Sequence, residues 1–214
     1  MRKGFGVCCI ILGICCLISS VGFIAYNHWE EENAQNASKN ILQDIQKNML
    51  DNTCKESVSG ESAQDESEEK PVDIPQEMLT TQVNGYDCIG ILSIPVLELE
   101  LPVLTDWSYE KLKIAPCHYY GSYYQKDFVI AAHNYQSFFR RLSELQPKDL
   151  ILFTDISGTV YCYEVVLLET LPGSATEEMI TSDFDLSLYT CTPGGASRVT
   201  VRCNAINEWG RSLQ

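Results

Sequence analysis

No charged residue occurs between Phe5 and Tyr26, and this feature constrains the chain most. A helix of about 22 residues rises about 33 Å, enough to cross a hydrocarbon layer of about 30 Å. Arg2 and Lys3 precede the run, and Glu30, Glu31 and Glu32 follow it. The positive-inside tendency therefore leaves the first residues in the cytoplasm and carries everything after Tyr26 across the membrane. A cleaved secretory signal has a shorter apolar region, roughly 7–15 residues, and a small-x-small cleavage site. Residues 1–26 are read as a cytoplasmic tip and a retained transmembrane signal anchor. Cys8, Cys9, Cys15 and Cys16 lie within it and are read as small apolar side chains in lipid.

From Asn27 to residue 85 the chain is rich in Glu, Asp, Ser, Gln and Asn, and carries Pro71 and Pro75. Such a segment lacks the apolar side chains to build a core. It is expected to be an acidic spacer, largely disordered or partly helical. Ile41, Ile45 and Leu50 are spaced loosely like one helix face, which predicts a short helix over residues 38–50.

The composition changes at Tyr86. Segments 88–94, 97–103, 128–132, 150–153, 160–168, 186–191 and 199–203 are short, rich in Val, Ile, Leu and Phe, and punctuated by Gly, Pro and Asp. They read as strands. Two short helices are expected, over 108–114 after a capping Asp106 and over 138–145. No βαβ rhythm is present. Residues 86–214 are thus expected to be all-β with short helices, a closed or nearly closed barrel of about eight strands, since closure removes exposed edges. A β-sandwich is the structural rival.

The formal net charge of −14 lacks the basic footprint that phosphate neutralisation needs, which argues against a nucleic-acid partner. No cofactor is expected. Cys54, Cys88, Cys117, Cys162, Cys191 and Cys203 lie beyond the apolar run, with no CxxC spacing. No metal site is expected, and if one thiol is catalytic the other five cannot all pair within one chain.

The most informative stretch runs from Leu186 through Cys191, Thr192-Pro193-Gly194-Gly195 and Arg198 to Cys203. It reads as two strands and a turn. If Cys191 pairs with Arg198, then Thr190 faces Val199, Tyr189 faces Thr200, Leu188 faces Val201, Ser187 faces Arg202 and Leu186 faces Cys203. That register puts Leu186, Leu188, Val199, Val201 and Cys203 on one apolar side. Cys191, Tyr189, Ser187, Arg198 and Arg202 fall on the other. A slip of one residue would mix the faces. A thiol beside a cation has its nucleophilic thiolate favoured, and a proton carrier is then needed. His133 ends the buried-type strand Phe128-Val129-Ile130-Ala131-Ala132, where catalytic groups commonly sit. His118 and Arg202 are the competing histidine and arginine. Taken singly, a cysteine, a strand-end histidine and a strand arginine are more often structural; it is their combination that points to chemistry.

The segment Leu188-Tyr189-Thr190-Cys191 resembles the Thr-Leu-x-Thr-Cys signature of the sortase family, and Ile130-Ala131-Ala132-His133-Asn134 resembles its strand ending in Gly-His. Ser187 and Ala132 depart from the family's Thr and Gly. The similarity covers roughly residues 86–207. It implies a sortase-like barrel in which Cys191 is the nucleophile, His133 the general acid and base, and Arg198 the cation at the substrate carbonyl. Thr190, Asn134 and Ser197 are expected to contact substrate. The residues between 171 and 185 are expected to wall the donor groove. The family resemblance further implies a donor, a secreted protein with a C-terminal sorting signal of the Leu-Pro-x-Thr-Gly kind, and an acceptor, a cell-wall peptide or pilin amine. It also implies a Gram-positive plasma membrane, with the catalytic domain extracellular. Rival readings are a cell-wall cysteine peptidase, whose families usually place Cys before His, and a non-catalytic anchored binding module.

Overall fold

The computed structural model describes residues 2–56 and 77–206; the acidic stretch 57–76 and residues 207–214 lie outside the described residues. A single 55-residue helix, α1 (Arg2–Glu56), leads the chain. From Ile10 to Tyr26 its apolar stretch is exposed, and by length and composition α1 can cross a membrane.

The helix does not dissolve after Tyr26. Ala34, Ser38, Ile41 and Ile45 follow one another at intervals of four, three and four, so they share one face, and all four are buried. They cover the outer wall of the barrel, where Ile41 and Ile45 pack with Val83, Cys88, Ile91, Leu104, Ala115 and Cys117. The expectation that residues 27–85 form no core is corrected for this stripe. A polar average hides it, because one apolar residue per turn is enough to dock a helix. Leu50 lies off the stripe and is exposed.

Among the described residues nine strands follow: β1 (Thr81–Val83), β2 (Tyr86–Ile94), β3 (Leu99–Leu104), β4 (Cys117–Tyr120), β5 (Phe128–Ala132), β6 (Leu150–Asp155), β7 (Val160–Pro172), β8 (Leu186–Cys191) and β9 (Ser197–Ala205). They pair in the order β1-β2-β3-β4-β5-β8-β9-β7-β6, and β6 returns to β2. β1 lies outside that ring, so β2 to β9 close a barrel of eight strands. Closure turns on Gly90, where β2 bulges and pairs with both β3 and β6. A Cβ there would stand 2.2 Å from the Thr154 carbonyl oxygen, so only glycine lets the two strands approach. Ile89, Leu92, Phe128, Ile130, Phe153, Leu186, Leu188 and Val201 fill the interior. β2 is buried along most of its length, because the barrel covers one face and α1 the other.

β1 and β4 were not among the expected strands. The first expected helix is α2 (Tyr109–Leu112), capped by Ser108, whose Oγ accepts from the Lys111 amide, and not by Asp106. The second is a 3-10 turn at Arg140–Glu144. A third, α3 (Thr176–Ile180), lies in the connection from β7 to β8.

Candidate active site

β5 and β8 run parallel, with Ala132 opposite Thr190. The next residues along the two chains are His133 and Cys191, which therefore emerge side by side at the same end of the sheet. β8 and β9 run antiparallel with Cys191 opposite Arg198, and all six pairs expected for this hairpin are the observed ones. Three neighbouring strands thus deliver an imidazole, a thiol and a guanidinium to one place.

The chain reverses between Cys191 and Arg198 in a compact turn. Gly194 and Gly195 both take positive φ, a conformation that glycine adopts without strain. The Thr192 amide donates to the Ser197 carbonyl at 2.9 Å, and the Ser197 amide donates to Thr192 Oγ1 at 3.1 Å. Arg198 Nη1 donates to the Gly195 and Ser197 carbonyls at 3.0 and 3.2 Å. No carboxylate pairs with it among the described residues, so its charge stays available to the space above Cys191.

His133, Cys191 and Arg198 line one cleft of about 230 Å³. One wall is aromatic, built from Trp107, Tyr109, Tyr119 and Tyr189; the other comes from Pro172, Gly173, Ala175, Thr176 and Met179, the stretch expected to wall a groove. Gly173 allows this approach, since a Cβ there would stand 3.0 Å from the Ala196 carbonyl oxygen and 3.6 Å from Arg198 Nη1. Cys191 is partly exposed. It also lines a second groove on its other side, with Asn134, Arg140, Ser143, Thr192 and Gly194. Cys191 therefore borders both grooves.

Burial pushes the His133 imidazole below its usual value of 6.5; Glu30 of α1 opposes this and Lys113 reinforces it. The ring also lies 5.1 Å from that of Tyr135, centroid to centroid. A neutral imidazole beside a thiol can take its proton and return it to a leaving group. Glu30 is a neighbour that the sequence reading did not foresee.

Thr190 is only 2% exposed, and its hydroxyl donates to the Ala132 carbonyl at 2.8 Å. That bond ties β8 to β5, and Thr190 also lines the second groove beside Cys191. Asn134 lines the second groove, while its own carbonyl accepts from Arg140 Nε and Nη2. Ser197 serves the turn through its backbone and lines neither groove.

The two competing residues have other duties. Both ring nitrogens of His118 face carbonyl oxygens, of Thr105 and Gly121, at 2.9 Å, which leaves no nitrogen for catalysis. Arg202 is 2% exposed. Its Nε donates to Glu169 at 2.7 Å, Nη1 to Ser187 Oγ at 2.8 Å and the Met179 carbonyl at 3.3 Å, and Nη2 to the Glu178 carbonyl at 2.6 Å. A five-residue helix such as α3 leaves its last carbonyls unpaired; a cation there satisfies them and suits the helix dipole. Arg202 thus holds from behind the wall that Thr176 and Met179 present to the cleft.

The family profile described as a Sortase domain matches residues 92–206, just over half of the chain. Comparison with curated protein sequences found no match. Among solved structures, sortase A from Corynebacterium diphtheriae is similar, with 24% identity and a TM-score of 0.51, over 57% of this chain and 62% of that one. A Clostridium perfringens sortase D5 transpeptidase shares 18% identity and a TM-score of 0.59, over 80% of this chain and 99% of that one. A pilus-related sortase C of Group B Streptococcus shares 25% identity and a TM-score of 0.52, over 60% and 71%. The chain spans less than two thirds of the Corynebacterium protein's length. These likenesses show a shared fold.

Proposed function

Because this chain belongs to the sortase family, we propose that it is a membrane-anchored cysteine transpeptidase in which Cys191, His133 and Arg198 carry the chemistry. The observation that supports this most is the pair of strand registers, Ala132 with Thr190 and Cys191 with Arg198, which bring the three groups to one cleft.

In the first step the Cys191 sulfur, having given its proton to His133, attacks the scissile carbonyl of the donor. The carbon–nitrogen bond breaks, His133 returns the proton to the departing amine, and a thioester remains on Cys191. In the second step a neutral amine attacks the thioester carbonyl, His133 accepts its proton, and the sulfur leaves. Arg198 stabilises the oxyanion in both steps. One preorganised donor of this kind is worth about 2.7–4 kcal/mol, or about 10²–10³ in rate.

The donor in this reading is a secreted protein with a C-terminal sorting signal of the Leu-Pro-x-Thr-Gly kind, and the acceptor is a cell-wall peptide or pilin amine. The apolar part of α1 anchors the enzyme in the plasma membrane with its N-terminus inside and the barrel outside.

A transfer assay tests the reading. Purified full-length enzyme is given a panel of sorting-signal peptides with and without added amines. New amide products should form with wild type and not with Cys191→Ala. Equal turnover by the variant would refute the proposal.

A further inference from the structure

Four polar contacts orient the barrel along α1. Near Tyr26, Glu30 pairs with Lys113 at 3.5 Å, and Glu31 accepts a hydrogen bond from the amide of Gln136. Farther along, Asp44 accepts from Asn84 at 2.9 Å, and Gln46 donates to Glu100 at 3.1 Å. Lys113 follows Leu112 of the cleft, and Gln136 lies just beyond His133. The end of the barrel that carries His133 is therefore the end beside residues 30 and 31. The β1–β2 turn sits about 20 Å farther along the helix, at about 1.5 Å per residue.

Glu30 stands only four residues beyond Tyr26, about 6 Å along the axis. The headgroup layer outside the hydrocarbon is about 5–8 Å thick on each side, so Glu30 and its partner Lys113 fall at that level. Six and four residues before Lys113 come Trp107 and Tyr109, which line the cleft. They are 42% and 73% exposed and pack edge to face at 5.8 Å. Trp29, one residue before Glu30, is 59% exposed. Tryptophan and tyrosine, apolar in body and polar at the tip, are the side chains that settle in a headgroup layer.

We infer that the rim of the Cys191 cleft formed by Trp107 and Tyr109 docks into the outer headgroup layer of the bilayer, so that the cleft opens at the membrane surface. This rests on the proposed reading of α1 as an anchor. The charges around the rim are mixed, with Asp106 paired to Lys111 and Lys113 paired to Glu30. The contact is aromatic in kind and does not require anionic lipid.

Two full-length single-tryptophan chains test it in phosphatidylcholine vesicles. Trp29→Phe with Trp209→Phe leaves Trp107, and Trp107→Phe with Trp209→Phe leaves Trp29. Each is compared in vesicles with and without lipid carrying a nitroxide on the headgroup. Emission of both should fall at least two-fold, and nitroxide deep in the acyl chain should quench Trp107 far less. Quenching of Trp29 with Trp107 unaffected would overturn the docking while leaving the anchor in place. Quenching of neither would overturn the anchor and the docking with it.

Discussion

Replacing Arg202 by Met removes four hydrogen bonds at once, to Glu169, Ser187 and the carbonyls of Glu178 and Met179, while nearly preserving volume. Breaking a buried pair by deleting one partner destabilises by about 3–5 kcal/mol, because the survivors stay desolvated. Here the Glu169 side chain is 30% exposed and can partly rehydrate, which points to the lower part of that range, about 3 kcal/mol. For a domain of this size that is roughly a 10 °C fall in Tm. Urea unfolding of wild type, Arg202→Met and Arg202→Lys measures it directly. The lysine variant keeps the charge beside Glu169 but has no planar fork to reach both α3 carbonyls and Ser187; it should fall between the other two. A second readout follows from the position of Thr176 and Met179 on the cleft wall: in both variants KM for a donor peptide should rise more than kcat falls. If Arg202→Met lies within about 1 kcal/mol of wild type with unchanged KM, the clamp reasoning is wrong.

Arg198→Lys should lose about 10²–10³ in kcat/KM, since an ammonium cannot hold two acceptors in one plane, and near-wild-type turnover would remove Arg198 from the mechanism. Ile45→Ala should cost about 2–5 kcal/mol of folding stability, as for a fully buried aliphatic side chain, because Ile45 is 0% exposed; Leu50→Ala, on an exposed site, should cost little. The His133 imidazole should titrate below 6.5 by NMR, and lower still in Glu30→Gln, because that carboxylate opposes the effect of burial. The unfolded imidazole binds its proton at the higher pH. This contribution to stability is therefore complete above about 6.5 and is lost as pH falls from there toward the folded value. An unchanged titration in Glu30→Gln would contradict the proximity of α1 to the site.

The hairpin was legible because strand alternation has a period of two, so one register alone separates Leu188 and Val201 from Cys191 and Arg198. The barrel was legible from many short apolar segments, and His133 from its place at the end of a strand with no polar residue. The docking of α1 was not, because its stripe is thin, and the surface it covers is assembled from β1 to β4, far along the chain. β4 was hidden between Pro116 and Gly121, which read as punctuation. Arg198 and Arg202 fall on the same face by alternation, so their division of labour depended on α3. That helix closes over Arg202 and leaves Arg198 in the cleft, and only the path from β7 to β8 decides this. Thr190 was expected at the substrate from the family resemblance; alternation alone does not show that a carbonyl of β5 lies within reach of its hydroxyl, which ties β8 to β5 beside the second groove.

The central claim is that the Cys191 sulfur becomes acylated by the donor before any amine takes over. Intact-protein mass spectrometry after brief incubation with a sorting-signal peptide, followed by peptide mapping, reads this state directly. The account expects an adduct equal to the acyl half of the donor, held as a thioester on Cys191 and discharged by added amine. An unmodified Cys191 during productive transfer, or an adduct on any other residue, would contradict it.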